Sequence, residues 1–287
     1  MAYRRRVPIQ NITGVAAGQT ATIDLPVQRR YHGIMLHYTE SGAATNQANT
    51  DAAIEEIEIL LNARTQRKFS AAELRVMNAH HGAPFAFQNG LLPLYFSEPW
   101  RRTPGDEDFL AWALEGNGIE SFQIRVKIAA GRTAPALAGR AIFDNARMSD
   151  GKPFPLGRIM TTRRRNIDVS GTGPRTLLDM PRNLGDLASL HCFENTNNDI
   201  SAVRISVEQN EAYNLTRAQA NAYLTAAGKV PQTGVFHAVM DDTGRAADVL
   251  PMRKNGGRDY VDELQIEFDM AAANNFTMIA EFHGGPL

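Results

Sequence analysis

The chain has 287 residues, of which 43% are hydrophobic, and its 30 lysines and arginines nearly balance 31 aspartates and glutamates. This length exceeds one average domain and suits two, and the hydrophobic fraction excludes a chain that is mostly disordered. The net charge of −1 argues against a protein that mainly neutralises nucleic-acid phosphates. The single cysteine, Cys192, excludes an internal disulfide and a multi-cysteine zinc site.

The N-terminal sequence MAYRRRVPIQ is basic and lacks a following apolar stretch, so no signal peptide is expected. No run of 18 apolar residues predicts a membrane span. These features favour a soluble intracellular product with two domains.

An internal repeat is the main organising feature of the sequence. Short segments of one half recur in the same order in the other half, and several of them alternate apolar and polar residues as strands do. The paired segments are 4–6 with 163–165, 22–26 with 177–181, 34–38 with 188–192, 57–59 with 203–205, and 122–129 with 264–271. The offset between copies falls steadily from 159 to 142, which predicts a duplicated unit with a shorter second copy.

One helix in each half is predicted from matching start and stop signals. Ser70 with Glu73, and Thr216 with Gln219, have the spacing of a capping box, in which each side chain bonds the other residue's backbone N–H. Each predicted helix meets a glycine 12 residues after its cap, suited to a left-handed C-terminal residue. These glycines are Gly82 and Gly228.

Everything else in the two halves indicates short strands, about eight in each, separated by Gly, Pro, Asn and Asp turns. This pattern predicts an all-β fold of two sandwiches or jelly rolls, without distinguishing between them. We place the first domain at residues 1–150, with a connecting segment from about residue 131, and the second domain at residues 151–287.

The histidines do not form a predicted metal site. A cupin site needs two histidines two residues apart on one strand, and the sequence has no His-x-His. His80 and His81 are interpreted as cations near a helix C-terminus, and His37 and His191 as half-buried structural residues. Cys192 is interpreted as an inert core thiol. No nucleophile elbow or phosphate loop is present, so no catalytic residue is predicted.

Two groups of polar residues are candidates for binding. The loop at 195–199 offers oxygen atoms from Asn195, Asn197 and Asp199, but it lacks EF-hand spacing, so a plain turn is favoured over a calcium site. The triplet Arg4, Arg5 and Arg6 lies at a terminus expected to be mobile, and it suits either an anionic partner, such as lipid headgroups or nucleic acid, or salt bridges to a neighbouring subunit. The triplet Arg163, Arg164 and Arg165 is interpreted as an intersubunit or interdomain pairing device.

Three stretches resemble the major capsid protein of corticoviruses, which are tailless icosahedral phages with an internal membrane. The first is Asn-Ile-Thr-Gly-Val-Ala-Ala-Gly at 11–18 with Ile-Asp-Leu-Pro at 23–26. The second is Phe109–Leu114 followed by the strand Phe122–Ile128. The third is Ile-Met-Thr-Thr-Arg-Arg-Arg-Asn at 159–166 with Leu-Asp-Met-Pro-Arg at 178–182.

The resemblance implies a double jelly roll, two tandem eight-stranded jelly rolls standing side by side, each with one short helix in a loop. Three subunits would form a homotrimer that is a pseudo-hexameric capsomer, and capsomers would tile an icosahedral shell over lipid. The implied partners are neighbouring capsomers, minor capsid or membrane proteins and lipid headgroups, without specific nucleic acid. The implied location is the virion, after synthesis in the bacterial host cytoplasm. No enzymatic activity and no required cofactor are expected, although the family is associated with Ca²⁺.

Two other classes of function stay open at this point. A bicupin-type metal-dependent enzyme would share the duplicated sandwich and would hold one metal ion per subunit. A carbohydrate-binding sandwich would need Trp100 and Trp112 to line an exposed groove, whereas Trp112 lies in an apolar stretch that favours a core position.

Overall fold

The structure, a computed structural model, describes residues 4–287. The chain divides into two compact units. The first comprises the described residues through Ala79, Phe85–Met160 and Pro286–Leu287, and the second comprises His80–Pro84 and Thr161–Gly285.

The first unit is built mainly from strands, with three short α-helices in its connections. Its strands are β1 (Arg5–Pro8), β2 (Ile12–Thr13), β3 (Thr20–Leu25), β4 (Arg29–Glu40), β5 (Ala43–Ala44), β6 (Ile54–Leu61), β7 (Arg64–Phe69), β8 (Leu91–Tyr95), β9 (Trp112–Ala113), β10 (Phe122–Ile128) and β11 (Pro135–Asn145). Its helices are α1 (Gln47–Ala53), α2 (Ala71–Ala79) and α3 (Pro104–Asp108), and a 3₁₀ turn covers Ala83–Phe85.

The second unit repeats this plan with fewer elements. Its strands are β12 (Ile159–Ile167), β13 (Gly173–Leu177), β14 (Asp186–Glu194), β15 (Ile200–Val207), β16 (Asn210–Thr216), β17 (Val235–Val239), β18 (Arg253–Lys254), β19 (Asp259–Tyr260), β20 (Leu264–Met270) and β21 (Phe276–Gly284). Its α-helix is α4 (Arg217–Ala226), and a 3₁₀ turn covers Asn255–Gly257.

Both units have the same order of eight principal strands. In the first unit one sheet pairs β1, β11, β4 and β8, and the other pairs β3, β10, β6 and β7. In the second unit the sheets run β12-β21-β14-β17 and β13-β20-β15-β16. Numbered along the chain, each unit therefore pairs strands 1-8-3-6 in one sheet and 2-7-4-5 in the other. This is the jelly-roll order, which confirms two eight-stranded jelly rolls.

The prediction of one short helix in each half is correct for the second unit and wrong for the first. Besides α2, the first unit contains α1, capped by Asn46, and α3, capped by Thr103. Both helices are shorter than two full turns, so they bury too few periodic apolar residues to stand out in the sequence. The stretch after residue 131 is also not simply a connection, because β11 lies within it as a strand of the first unit.

The two repeated helices start as predicted. The Ser70 backbone N–H donates to Glu73 Oε2 at 2.7 Å, and the Glu73 N–H donates to Ser70 Oγ at 3.2 Å. Thr216 and Gln219 make the same reciprocal pair at the start of α4. Gly82 and Gly228 follow the two helices with φ of 120° and 78°, values that glycine adopts without a side-chain clash.

Each unit encloses its own apolar core between its two sheets. In β10 the polar residues Arg125 and Lys127 are exposed and Gln123 is half-buried, while the apolar residues between them are buried: Phe122, Ile124, Val126 and Ile128. The corresponding strand β20 buries the same positions of its alternation. Because successive side chains of a strand point to opposite faces, this pattern fixes which face of each sheet is covered.

None of the helices in residues 4–287 is long and apolar enough to cross a membrane.

Candidate functional site

The first arginine triplet begins an edge strand and does not form a mobile terminus. Arg5 and Arg6 belong to β1, opposite Phe143 and Ile142 of β11. Arg4 donates to Glu107 at 2.5 Å and to Asp108 at 2.6 Å, so two carboxylates of helix α3 already neutralise it. All three side chains are exposed. The structure therefore places Arg5 and Arg6 on an exposed edge strand and Arg4 in a network of ion pairs.

A buried histidine extends this charged network into the first unit. The ring nitrogens of His32 lie 3.3 Å from Asp108 Oδ1 and 3.1 Å from Asp144 Oδ2, without the alignment of a strong hydrogen bond. Burial opposes a charge on His32, but Asp108 and Asp144 outweigh it, so the pKa of His32 is raised. Burial alone would raise the pKa of Asp108, yet His32, Arg30 and Arg4 lower it to about 2.

The second arginine triplet lies in β12, the strand of the second unit that corresponds to β1. Arg165 makes a bidentate pair with Asp179, at 2.7 and 2.6 Å, inside the same unit. Arg165, for which the sequence predicts a contact between subunits or domains, therefore makes an ion pair within its own unit. Arg164 is exposed and lines a polar cavity of about 450 Å³ together with Asn195. The structure thus brings part of the second triplet next to the loop at 195–199.

That loop is a turn held by its own side chains. Asp199 Oδ2 accepts from the Thr196 N–H at 2.8 Å, and its Oδ1 accepts from Asn274 Nδ2 at 3.0 Å. Asn197 Oδ1 accepts from the Gly234 N–H at 3.1 Å. Asn197 and Asp199 thus use these oxygens to hold the turn against two other segments of the chain. Calcium binding stays a prediction of the family resemblance.

A buried ion pair closes the same turn, and the sequence analysis missed it. One Glu194 oxygen accepts from the Ile200 N–H at 2.7 Å and from Arg217, while the other accepts from the Asn198 N–H at 3.1 Å. Burial raises the pKa of Glu194 and lowers the pKa of Arg217. The guanidinium also stacks over Phe236, 5.0 Å from the ring centre. This pair ties α4 to the end of β14.

The second unit also contains a cluster of buried histidines, here named the imidazole cluster: His80, His191 and His237. His191 and His237 face each other on the paired strands β14 and β17, with their Nδ1 atoms 2.7 Å apart. His80 stacks on His237 with ring centres 4.9 Å apart and meets the edge of His191 at 5.2 Å. All three side chains are at most 1% exposed.

Hydrogen bonds link this cluster to Ser189 and Glu281. Ser189 donates to Glu281 at 2.6 Å, and His191 Nε2 lies 3.0 Å from Ser189 Oγ and 3.2 Å from Glu281. An ionised Glu281 accepts the His191 Nε2–H, so His191 Nδ1 must accept from the His237 Nδ1–H. In this arrangement each of these hydrogen bonds has one donor and one acceptor while the rings stay neutral. His237 Nε2 is then a buried acceptor without a hydrogen-bond partner among the described residues.

Several histidine interpretations from the sequence need correction. His80 is fully buried, and burial together with His81 and His237 places its pKa well below the usual value, so it is not a cation. His37 is exposed, whereas its counterpart His191 is fully buried. The third and sixth strands of a jelly roll are neighbours, so the fold alone indicates that the strands of His191 and His237 pair. The sequence does not give the register of that pairing, and therefore does not predict that the two histidines face each other.

The polar groups of the cluster do not make a reactive site. Ser189, His191 and Glu281 are linked by hydrogen bonds as in a hydrolase, but all three are buried away from any substrate. Burial raises the pKa of the Cys192 thiol, as suits an inert core residue. Trp112 is buried, and Trp100 packs edge-on against Phe85 and Tyr95. These two tryptophans do not form the exposed groove that a sugar would need.

Family comparisons cover nearly the whole chain. The family model described as "Viral coat protein P2 N-terminal domain" matches residues 6–145, and the model described as "Viral coat protein P2 C-terminal domain" matches residues 159–285. The two matched ranges correspond to the two jelly rolls. No curated protein has a sequence that matches the chain significantly.

Several solved structures with the same fold are those of viral capsid proteins. The major capsid protein P2 from bacteriophage PM2 has a TM-score of 0.82 and 17% identity, covering 98% of this chain and 97% of that chain. The STIV MCP has a TM-score of 0.65 and 10% identity, with 98% and 97% coverage. The PBCV-1 virus capsid gives a TM-score of 0.65 and 10% identity, with 99% and 94% coverage. At these identities the likeness concerns the fold.

Proposed function

Because the chain belongs to the viral coat protein P2 family and is a capsid protein, we propose that it forms homotrimeric capsomers that tile an icosahedral shell. The observation that carries this proposal is the identical strand order of the two jelly rolls. Three copies of a subunit with two equivalent units supply six similar building blocks. Closed threefold symmetry acting on such a subunit yields a nearly hexagonal tile.

The trimer is the first part of the proposal to test. Size-exclusion chromatography with light scattering should give a particle of three times the 31.6 kDa chain mass. Negative-stain images of that particle should show six lobes around a threefold axis. A protein that stays monomeric at every concentration up to that of a crowded shell would contradict the proposal.

As a coat protein the chain is a component of a virion, and its expected contacts are with other coat subunits. We also infer that it is made in the cytoplasm of a bacterial host and meets minor capsid or membrane proteins in the particle. Membership of a structural family favours a subunit without catalytic activity.

Contact with an internal lipid layer is a separate part of the proposal, and β1 is the element that would make it. Arg5 and Arg6 are exposed on this strand, and each basic side chain near an anionic bilayer contributes about 1 kcal/mol. Arg4 should contribute less, because Glu107 and Asp108 already pair with it.

We expect the double substitution Arg5→Gln and Arg6→Gln to weaken binding to vesicles containing anionic lipid by about 30-fold, following the ~1 kcal/mol for each charge. Vesicle co-sedimentation at low salt measures this change. The matched control removes two exposed charges from the other sheet of the same unit, Arg125→Gln with Lys127→Gln. Equal losses in both double variants would point to net charge alone and would contradict a role for β1.

A further inference from the structure

The imidazole cluster is buried inside the second unit, and its chemistry points to a property separate from the proposed capsid contacts. Three imidazoles are buried together, and each has an ordinary pKa close to 6.5 when exposed. A histidine cluster kept neutral by burial resists protonation until the structure around it opens. Such a cluster converts mild acidification into a conformational change.

The cluster holds one particular segment in place. His80 and His81 belong to the segment 80–84, which is part of the second unit. The His80 ring covers His237 of β17, and its carbonyl oxygen accepts from the Val230 N–H at 2.8 Å. The segment 80–84 is thus attached to the second unit partly through the face of a neutral imidazole.

Charged groups on the adjoining elements affect how readily the histidines of the cluster can be protonated. Glu281 of β21 faces His191, and Lys229 after α4 pairs with Asp241 at 3.7 Å. The charges that disfavour protonation of His237 are those of a protonated His191, Lys229 and Arg217, whereas Glu281 favours it. His81, His237, Lys229 and His191 all disfavour protonation of His80. Arg217 is itself balanced by Glu194.

Glu281 accepts a hydrogen bond from Ser189 and contacts the His191 ring. Protons on His80 and His237 would stand close to that ring and to Lys229, in a site without water contact. Like charges at such short separations repel each other strongly in a low-dielectric interior. Release of the segment hydrates both rings and removes the repulsion.

We propose that the imidazole cluster is an acid-operated latch: on mild acidification His80 and His237 take up protons, and the segment 80–84 detaches from the sheet face of the second unit. Burial lowers the pKa of both histidines in the closed state. The latch therefore contributes stability above about pH 6.5, where the open state is also neutral, and loses it as the pH falls below that value.

Hydrogen exchange at the Val230 amide tests the latch in the full-length protein. Two protons taken up on opening, by rings whose ordinary pKa is close to 6.5, make the opening constant rise about 30-fold between pH 6.5 and 5.5. After correction for the intrinsic exchange rate, the protection of Val230 should fall by this factor. His80→Gln or His237→Gln should each reduce the rise over this interval to about fivefold, and the double variant should abolish it.

The matched control is His37→Gln, which removes an exposed histidine from the corresponding strand of the first unit. Its pH dependence at Val230 should equal that of the unchanged protein. Should a cluster variant fail to fold, the unchanged protein still decides the matter through the imidazole NMR resonances of His80 and His237. Those resonances should stay in the neutral position until the Val230 amide loses protection. Protection that is constant from pH 7 to 5, or rings that titrate near 6.5 in the closed state, would overturn the proposal.

Discussion

Replacing Glu194 by alanine is expected to destabilise the second unit by about 3 kcal/mol, because the change leaves a largely buried guanidinium without its counter-charge. Arg217 is 15% exposed and Glu194 is fully buried. The backbone N–H groups of Asn198 and Ile200 also lose their acceptor. Hydrogen exchange measured by mass spectrometry over the turn 194–200 would follow this loss in the intact chain.

A matched control separates the buried pair from the mere loss of a carboxylate. Glu211 pairs with Arg204 in the same unit, but about half of each side chain is exposed. Glu211→Ala should therefore change stability by no more than about 0.5 kcal/mol. Adding Arg217→Met to Glu194→Ala should recover part of the loss, because the unpaired charge is removed. Equal effects at Glu194 and Glu211 would contradict the account of the turn.

Replacing Trp112 by alanine is expected to cost the first unit about 3–5 kcal/mol through the cavity that it leaves. Trp112 is fully buried and packs on Phe96 and Phe122, with ring centres 4.4 and 5.5 Å apart. The chain has two tryptophans, and both lie in the first unit, so the fluorescence of Trp100 would report its unfolding selectively. Denaturant titration of the variant measures the change.

Trp112→Phe is the control for this second prediction. It keeps an aromatic ring between Phe96 and Phe122 and removes the indole N–H, which is buried without a hydrogen-bond partner in the described part of the chain. The cost should fall to about 1–2 kcal/mol. A similar loss for phenylalanine and alanine would show that packing is not what Trp112 contributes.

The duplication and the strand framework could be predicted because they depend on local patterns. The alternation in 122–129 and 264–271 became the corresponding strands β10 and β20, and the two capping boxes became α2 and α4. Whole helices were missed where the segments are short, as in α1 and α3. The pattern of a five- or seven-residue helix carries too little periodicity to separate it from a turn.

The interior electrostatics were harder to predict, because they depend on register and on residues far apart in sequence. His191 and Glu281 are 90 residues apart, and His32 meets carboxylates at 108 and 144. The sequence shows that His37 and His191 occupy corresponding strands. It does not show that the segment 80–84 covers His191 whereas His37 is exposed. Burial, which sets the charge of a histidine, is a property of the folded chain.

The position of the arginine triplets has a consequence for crowding. Among the described residues, β1 and β12 form the outer edges of their sheets, and such edges can pair with a strand of another molecule. Charged side chains along an edge make that addition unfavourable. Within a shell the local concentration of coat protein is extreme, so uncontrolled strand addition would compete with correct assembly. The arginines of both edges thus favour a discrete particle over an aggregate joined strand to strand.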